Sequence, residues 1–159
     1  MSLTTHIDLS NNVRNDVITI LNARLVDAID LGMQAKMAHW NIRGPHFIAL
    51  HELFDKVNAQ VQSHVDELAE RIGQLGGVVH ANLQEVHQNT TLSSFNAELS
   101  THTEVLNALV KSMGSFTNSV RKDIDTTAEK GDAVTSDILT GISREADKHL
   151  WFLESHLKQ

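Results

Sequence analysis

Residues 45–75 read PHFIALHELFDKVNAQVQSHVDELAERIGQL, and Gly76-Gly77 follows. Phe47, Leu50, Phe54, Val57, Val61, Val65, Leu68 and Ile72 recur at three- and four-residue steps, the spacing of one face of an α-helix. Pro45 suits the first turn of such a helix, and the paired glycines stop it. One amphipathic helix of this length cannot bury its stripe alone, so the rest of the chain must supply partners for it.

Working outward, an earlier segment from about Asn12 to Trp40 carries Val17, Leu21, Leu25 and Ile29 at helical spacing, with Ile18 widening the stripe. Asn11 or Asn12 could cap its start, and Asn41-Ile-Arg-Gly-Pro45 ends it. After residue 77 the periodicity lapses over 78–100, with room for one short helix at about Asn82–Gln88. Thr101-His-Thr-Glu104 reads as a capping box and opens a third long helix through Val105, Leu109, Met113, Phe116, Val120 and Ile124. Gly131 closes it. Asp132 can cap a fourth, marked by Ile138, Ile142, Leu150 and Leu153. Four long helices with no strand pattern predict an all-α, four-helix bundle, with the short helix lying in the long connection between the second and third. That crossover is what a ferritin-like fold requires. The chain reads as one domain, 1–159, with residues 1–11 as a short N-terminal extension.

Composition narrows the chemistry. There are no cysteines, which excludes disulfides, thiolate metal sites and cysteine nucleophiles. One proline and eight glycines are too few for a turn-rich β protein. No apolar run approaches the ~20 residues that span a bilayer, and Met1–Asp8 shows no secretory pattern, so the cytoplasm is the expected location. Ten histidines accompany 20 acidic residues against 13 basic ones, a net charge of −7. That balance disfavours a generally basic nucleic-acid surface and suits a protein that attracts cations. Histidine and carboxylate without thiolate favour Fe, Mn or Zn.

The second helix holds two pairs at i,i+4 spacing, His51 with Asp55 and Asp66 with Glu70. Positions 55 and 66 differ by only about 20° around the axis, so both pairs face the same way. Yet 51 and 66 lie about 22 Å apart along it. Metal–ligand bonds are near ~2 Å, so no single ion touches both pairs in one chain. An antiparallel second copy across a two-fold axis brings them together and makes two equivalent sites per dimer. His39, ending the first helix, could complete the set. The ordinary reading of any one such pair is a solvated helix face, and of a lone helix-end histidine a cap. Glu-x-x-His, the usual motif of an intra-bundle di-iron site, occurs nowhere in the chain.

The stretches Lys36-Met-Ala-His39-Trp40-Asn-Ile-Arg-Gly44, Phe47-Ile-Ala-Leu-His51-Glu-Leu-Phe-Asp55 and His64-Val-Asp66-Glu-Leu-Ala-Glu70-Arg71 closely resemble the signature of the Dps miniferritins. Gly131–Asp137 and Asp147–Leu153 resemble that family's last helix. The resemblance implies a hollow homo-dodecamer that oxidises Fe(II), typically with hydrogen peroxide, at inter-subunit sites and stores ferric mineral. It places the iron ligands, with a two-iron site possible, on His39, His51 and Asp55 of one subunit and Asp66 and Glu70 of its mate. Trp40 resembles the tryptophan beside the iron, for intercepting oxidising equivalents; core packing explains it equally well. Asp132 and Asp137 fall where the family has an acidic pore admitting iron, although capping accounts for Asp132 too. Trp151 reads as interface or core, and His64, His80, His87, His102 and His149 as structural or surface residues.

Many members of that family bind DNA through a lysine-rich tail, since Lys and Arg neutralise phosphate. Here the first basic residue is Arg14, within the first helix, and only Lys158 follows the Trp151 segment. DNA binding is therefore doubtful. Beside the ferroxidase cage stand two other readings: a DNA-compacting nucleoid protein with secondary iron chemistry, and a binding or adhesion module without oxidation. The intact ligand set counts against the last.

Overall fold

The computed structural model describes residues 4–157, and among them there are five α-helices and no strands. They are α1 (Asn11–Asn41), α2 (Phe47–Gln74), α3 (Leu83–Asn89), α4 (His102–Glu129) and α5 (Ala133–Ser155). α1 packs on α2 and on α4, α4 on α5, and α2 on α5, while short α3 lies against α1. This is the expected four-helix bundle, with the long crossover carrying α3. None of these helices is long and apolar enough to cross a membrane.

The predicted stripes meet in one core. Phe54 and Phe116 are fully buried, with Leu21, Leu25, Leu50, Leu68, Ile72, Leu109, Ile142 and Leu153 around them. Each such side chain contributes roughly 1.5–3 kcal/mol by leaving water. Ile18, Ile29, Val65, Ile124, Ile138 and Leu150 are only partly buried at its edge. Phe47 departs further from expectation: at the start of α2 it is 39% exposed and faces His51, its ring 5.0 Å from the imidazole.

The helix ends explain how the chain turns. Ser10, not Asn11 or Asn12, caps α1, its hydroxyl accepting from the Val13 N–H at 3.3 Å. Asn11 is otherwise engaged, accepting from Arg14, whose guanidinium also donates to the Leu9 carbonyl. Pro45 lies before α2 rather than in its first turn. A turn closed by the Phe47 N–H on the Gly44 carbonyl holds it there, and Gly44 takes φ +111°, which favours glycine. α2 ends on Gly76 at φ +80°, and the Gly77 N–H donates back to the Ile72 carbonyl at 2.9 Å. A Cβ on Gly77 would meet Ile18 and Ile72 at 2.9 Å, so the close approach needs glycine.

The crossover is pinned rather than loose. Asn82 and Glu85 form a full capping box on α3. Asp27, fully buried in α1, accepts from the Thr91 N–H at 2.7 Å and from the Thr91 hydroxyl at 3.0 Å. At α4 only half of the expected box forms. Thr101 caps Glu104's N–H at 3.4 Å, but the Glu104 carboxylate accepts from the Thr101 hydroxyl instead of the backbone.

Candidate metal centre

The last turn of α1 and the second turn of α2 bring His39 and His51 face to face, ring centroids 3.6 Å apart and 19° from parallel. Each ring's Nδ1 lies against the other residue's backbone carbonyl, 2.7 Å for His39 and 2.9 Å for His51. A carbonyl only accepts, so both Nδ1 atoms carry the proton and donate. Both Nε2 lone pairs are thereby left for a metal. A hydrogen-bonded Nδ1–H is the usual outer-shell arrangement behind a ligating histidine, fixing tautomer and ring orientation.

Asp55, one turn beyond His51, is half exposed and accepts from Lys36 Nζ at 2.6 Å. The same ammonium stands 5.7 Å from the Trp40 ring centroid, which ties the half-exposed Trp40 to the edge of this cluster. The hydrogen bond from Lys36, helped by its charge, outweighs the opposing effect of burial and holds the Asp55 carboxyl below its ordinary pKa. Lys36 was not singled out from the sequence. The signal was there: Lys36, His39 and Trp40 stand at i, i+3 and i+4, one patch of a helix.

Asp66 and Glu70 are exposed on α2. Among the described residues no three His, Asp or Glu side chains converge to hold a metal within the single chain. His39 and His51 come together, with Asp55 one helical turn beyond His51 and paired with Lys36, while Asp66 and Glu70 lie further along the same helix.

The remaining singled-out residues divide. Asp132 is 2% exposed: it caps α5, accepting from the Thr135 N–H at 3.0 Å, and pairs with Arg71 Nη2 at 2.8 Å. Asp137 is exposed. Trp151 is 62% exposed, so it is no core residue of the chain. His80 pairs with Glu85 at 3.0 Å, His87 is exposed, and His102 Nε2 lies 3.1 Å from the His156 carbonyl. His64 and His149 are buried between helices rather than on the surface, and burial is the main cause lowering the pKa of each.

A bundle joined by a long crossover is the ferritin-like architecture, and residues 18–159 match the family described as Ferritin-like domain. The chain is 44% identical over 152 residues to a DNA protection during starvation protein of Agrobacterium fabrum, covering 96% of this chain and 94% of that one. It also superimposes on Mycobacterium smegmatis Dps with a TM-score of 0.94 at 31% identity, over 100% of this chain and 90% of the other. DpsC from Streptomyces coelicolor gives a TM-score of 0.95 at 27% identity, over 100% and 93%. The chain belongs to the Dps family.

Proposed function

We propose that the protein is an iron-sequestering ferroxidase whose sites are shared between subunits of a hollow homo-dodecamer. The observation that carries this reading is the His39–His51 pair, with both Nε2 atoms left free beside Asp55. Three donors from one chain leave an Fe(II) under-coordinated, and Asp66 and Glu70 of a two-fold mate supply hard oxygen ligands opposite them. Fe(II) is the substrate. When two Fe(II) each give one electron to hydrogen peroxide, the O–O bond breaks, two protons are taken up and two waters form, with no hydroxyl radical released. The carboxylates stabilise the Fe(III) produced, which passes inward for storage as mineral. Trp40, at the edge of the cluster, is placed to intercept stray oxidising equivalents, and Asp137 to draw cations toward a pore. Such chemistry protects against oxidative damage.

The decisive experiment is an anaerobic Fe(II) titration followed by a peroxide pulse, read by absorbance, with native mass measured alongside. We expect rapid oxidation at a particle of about 210 kDa, twelve times 17.6 kDa. A monomer at neutral pH would overturn the shared site.

Lys36 competes with metal for Asp55. Lys36→Met should therefore tighten anaerobic Co(II) binding by about two- to fivefold, the modest effect expected of a partly exposed ion pair. Weaker binding would mean that the lysine helps to hold the site together.

A second reading, DNA compaction, is favoured by the name of the Agrobacterium relative. Net charge −7 opposes it. The 159-residue polypeptide is expected to give negligible gel retardation of DNA at near-physiological salt with a chelator present. Tight, salt-sensitive binding there would establish a basic surface patch on the folded protein.

A further inference from the structure

His64 lies about 160° around α2 from Asp66, so it looks away from the shared-site face and into the groove against α5. It is 3% exposed, yet neither Nδ1 nor Nε2 has a hydrogen-bond partner. His149 of α5 is also buried, and its Nδ1 is likewise unpartnered. The two rings are near enough to influence each other electrostatically, and Glu145 acts on both. Glu145 precedes His149 by one turn and so shares its helix face. Glu67 Oε2 stands 3.6 Å from His64 Nδ1, too long for a hydrogen bond but on the same side. A surface cleft of about 450 Å³, lined by Leu53, Lys56, His149 and Phe152, opens His149 to solvent.

Buried imidazole nitrogens without partners are uncommon and call for a reason. Two imidazoles flanked by two carboxylates are the donor set of a borderline divalent cation such as Zn(II), Co(II) or Fe(II). We propose that His64 and His149, closed by Glu67 and Glu145, form a second divalent-cation site between α2 and α5, contained within one chain. As they stand, no three of these groups lie at metal-holding distance. The glutamate side chains, 55% and 39% exposed, supply the movement by rotating inward, while the two rings stay fixed by packing.

The site does not depend on the ferroxidase reading, and Co(II) alone tests it. In the assembled His51→Ala, Asp55→Ala protein, equilibrium dialysis should find a Co(II) bound per chain with a visible absorption band. His64→Gln or His149→Gln, each added singly, should abolish that binding, and Glu145→Gln should weaken it at least tenfold. Glu98→Gln, remote in sequence from the cluster, should change nothing. Should His64→Gln fail to assemble, His149→Gln and the Zn(II)-induced shift of the His149 ring nitrogens in NMR decide the matter. No Co(II) bound in the parent variant would overturn the proposal. So would binding that survives the histidine substitutions, or His149 ring signals that Zn(II) leaves unmoved; the buried nitrogens would then be satisfied by water alone.

Discussion

A His51→Ala, Asp55→Ala variant and an Asp66→Ala, Glu70→Ala variant should each oxidise Fe(II) slowly, yet their co-refolded mixture should regain about a quarter of wild-type sites. The reason is two-fold symmetry. Each variant alone builds dimers in which both sites are damaged. Losing two direct ligands should cost at least the ~10–100-fold that an outer-shell partner is worth at a metal site. In a mixed dimer one site collects both damaged halves, and the other collects His51 and Asp55 from one chain with Asp66 and Glu70 from the other. Random pairing makes about half of the dimers mixed, and each mixed dimer has one intact site of two. Peroxide-driven Fe(II) oxidation on the mixture, with co-assembly confirmed by mass, reads the result. If each chain carried its whole site, mixing would restore nothing, and activity stuck at the level of the separate variants would rule out the shared mechanism.

That prediction could be framed from sequence because its premise is one-dimensional. A helix converts residue number into angle and height, so His51, Asp55, Asp66 and Glu70 acquire a common face and a separation too great for one ion without any tertiary information. The helices themselves were legible for the same reason, with Gly76 and Gly131 as their stops. Much of what failed depended on contacts between segments distant in the chain. Phe47 belongs to the apolar stripe of α2 by period, yet it is 39% exposed while Leu50 of the same turn is fully buried, a difference that periodicity does not decide. Ser10 wins the α1 cap because Asn11 is drawn to Arg14, a local competition that residue preferences alone do not decide. The reciprocal hold of the His39 and His51 rings on each other's carbonyls was invisible, since it requires α1 and α2 to approach at one height. His64 and His149 read as structural or surface residues alike, because a histidine gives no sign in sequence of whether a facing helix covers it; the fold buries both.

Asp132 poses the sharpest case of two roles for one residue, and stability measurements separate them. Its carboxylate is buried and accepts from Arg71 Nη2 at 2.8 and 3.1 Å, from the Thr135 N–H at 3.0 Å and from the Thr135 hydroxyl at 2.6 Å. Arg71 is itself only 4% exposed and donates Nε to the same Thr135 hydroxyl at 2.9 Å. Removing the acid therefore strands a guanidinium inside the protein, which typically costs about 3–5 kcal/mol, more than the ~1 kcal/mol of a lost helix cap. Asp132→Ala should lower the denaturation midpoint sharply at fixed protein concentration, or prevent assembly outright. Asp132→Asn keeps an oxygen for the Thr135 N–H but gives up the charge facing Arg71, so it should fall between. Asp137, exposed one turn further along α5, has no such commitments. Asp137→Asn should leave the midpoint unchanged while slowing Fe(II) uptake, if an acidic pore draws the cation in. The opposite pattern for Asp132→Ala, an unchanged midpoint with slowed uptake, would mean that its charge serves the pore and that the Arg71 pair adds little to the fold.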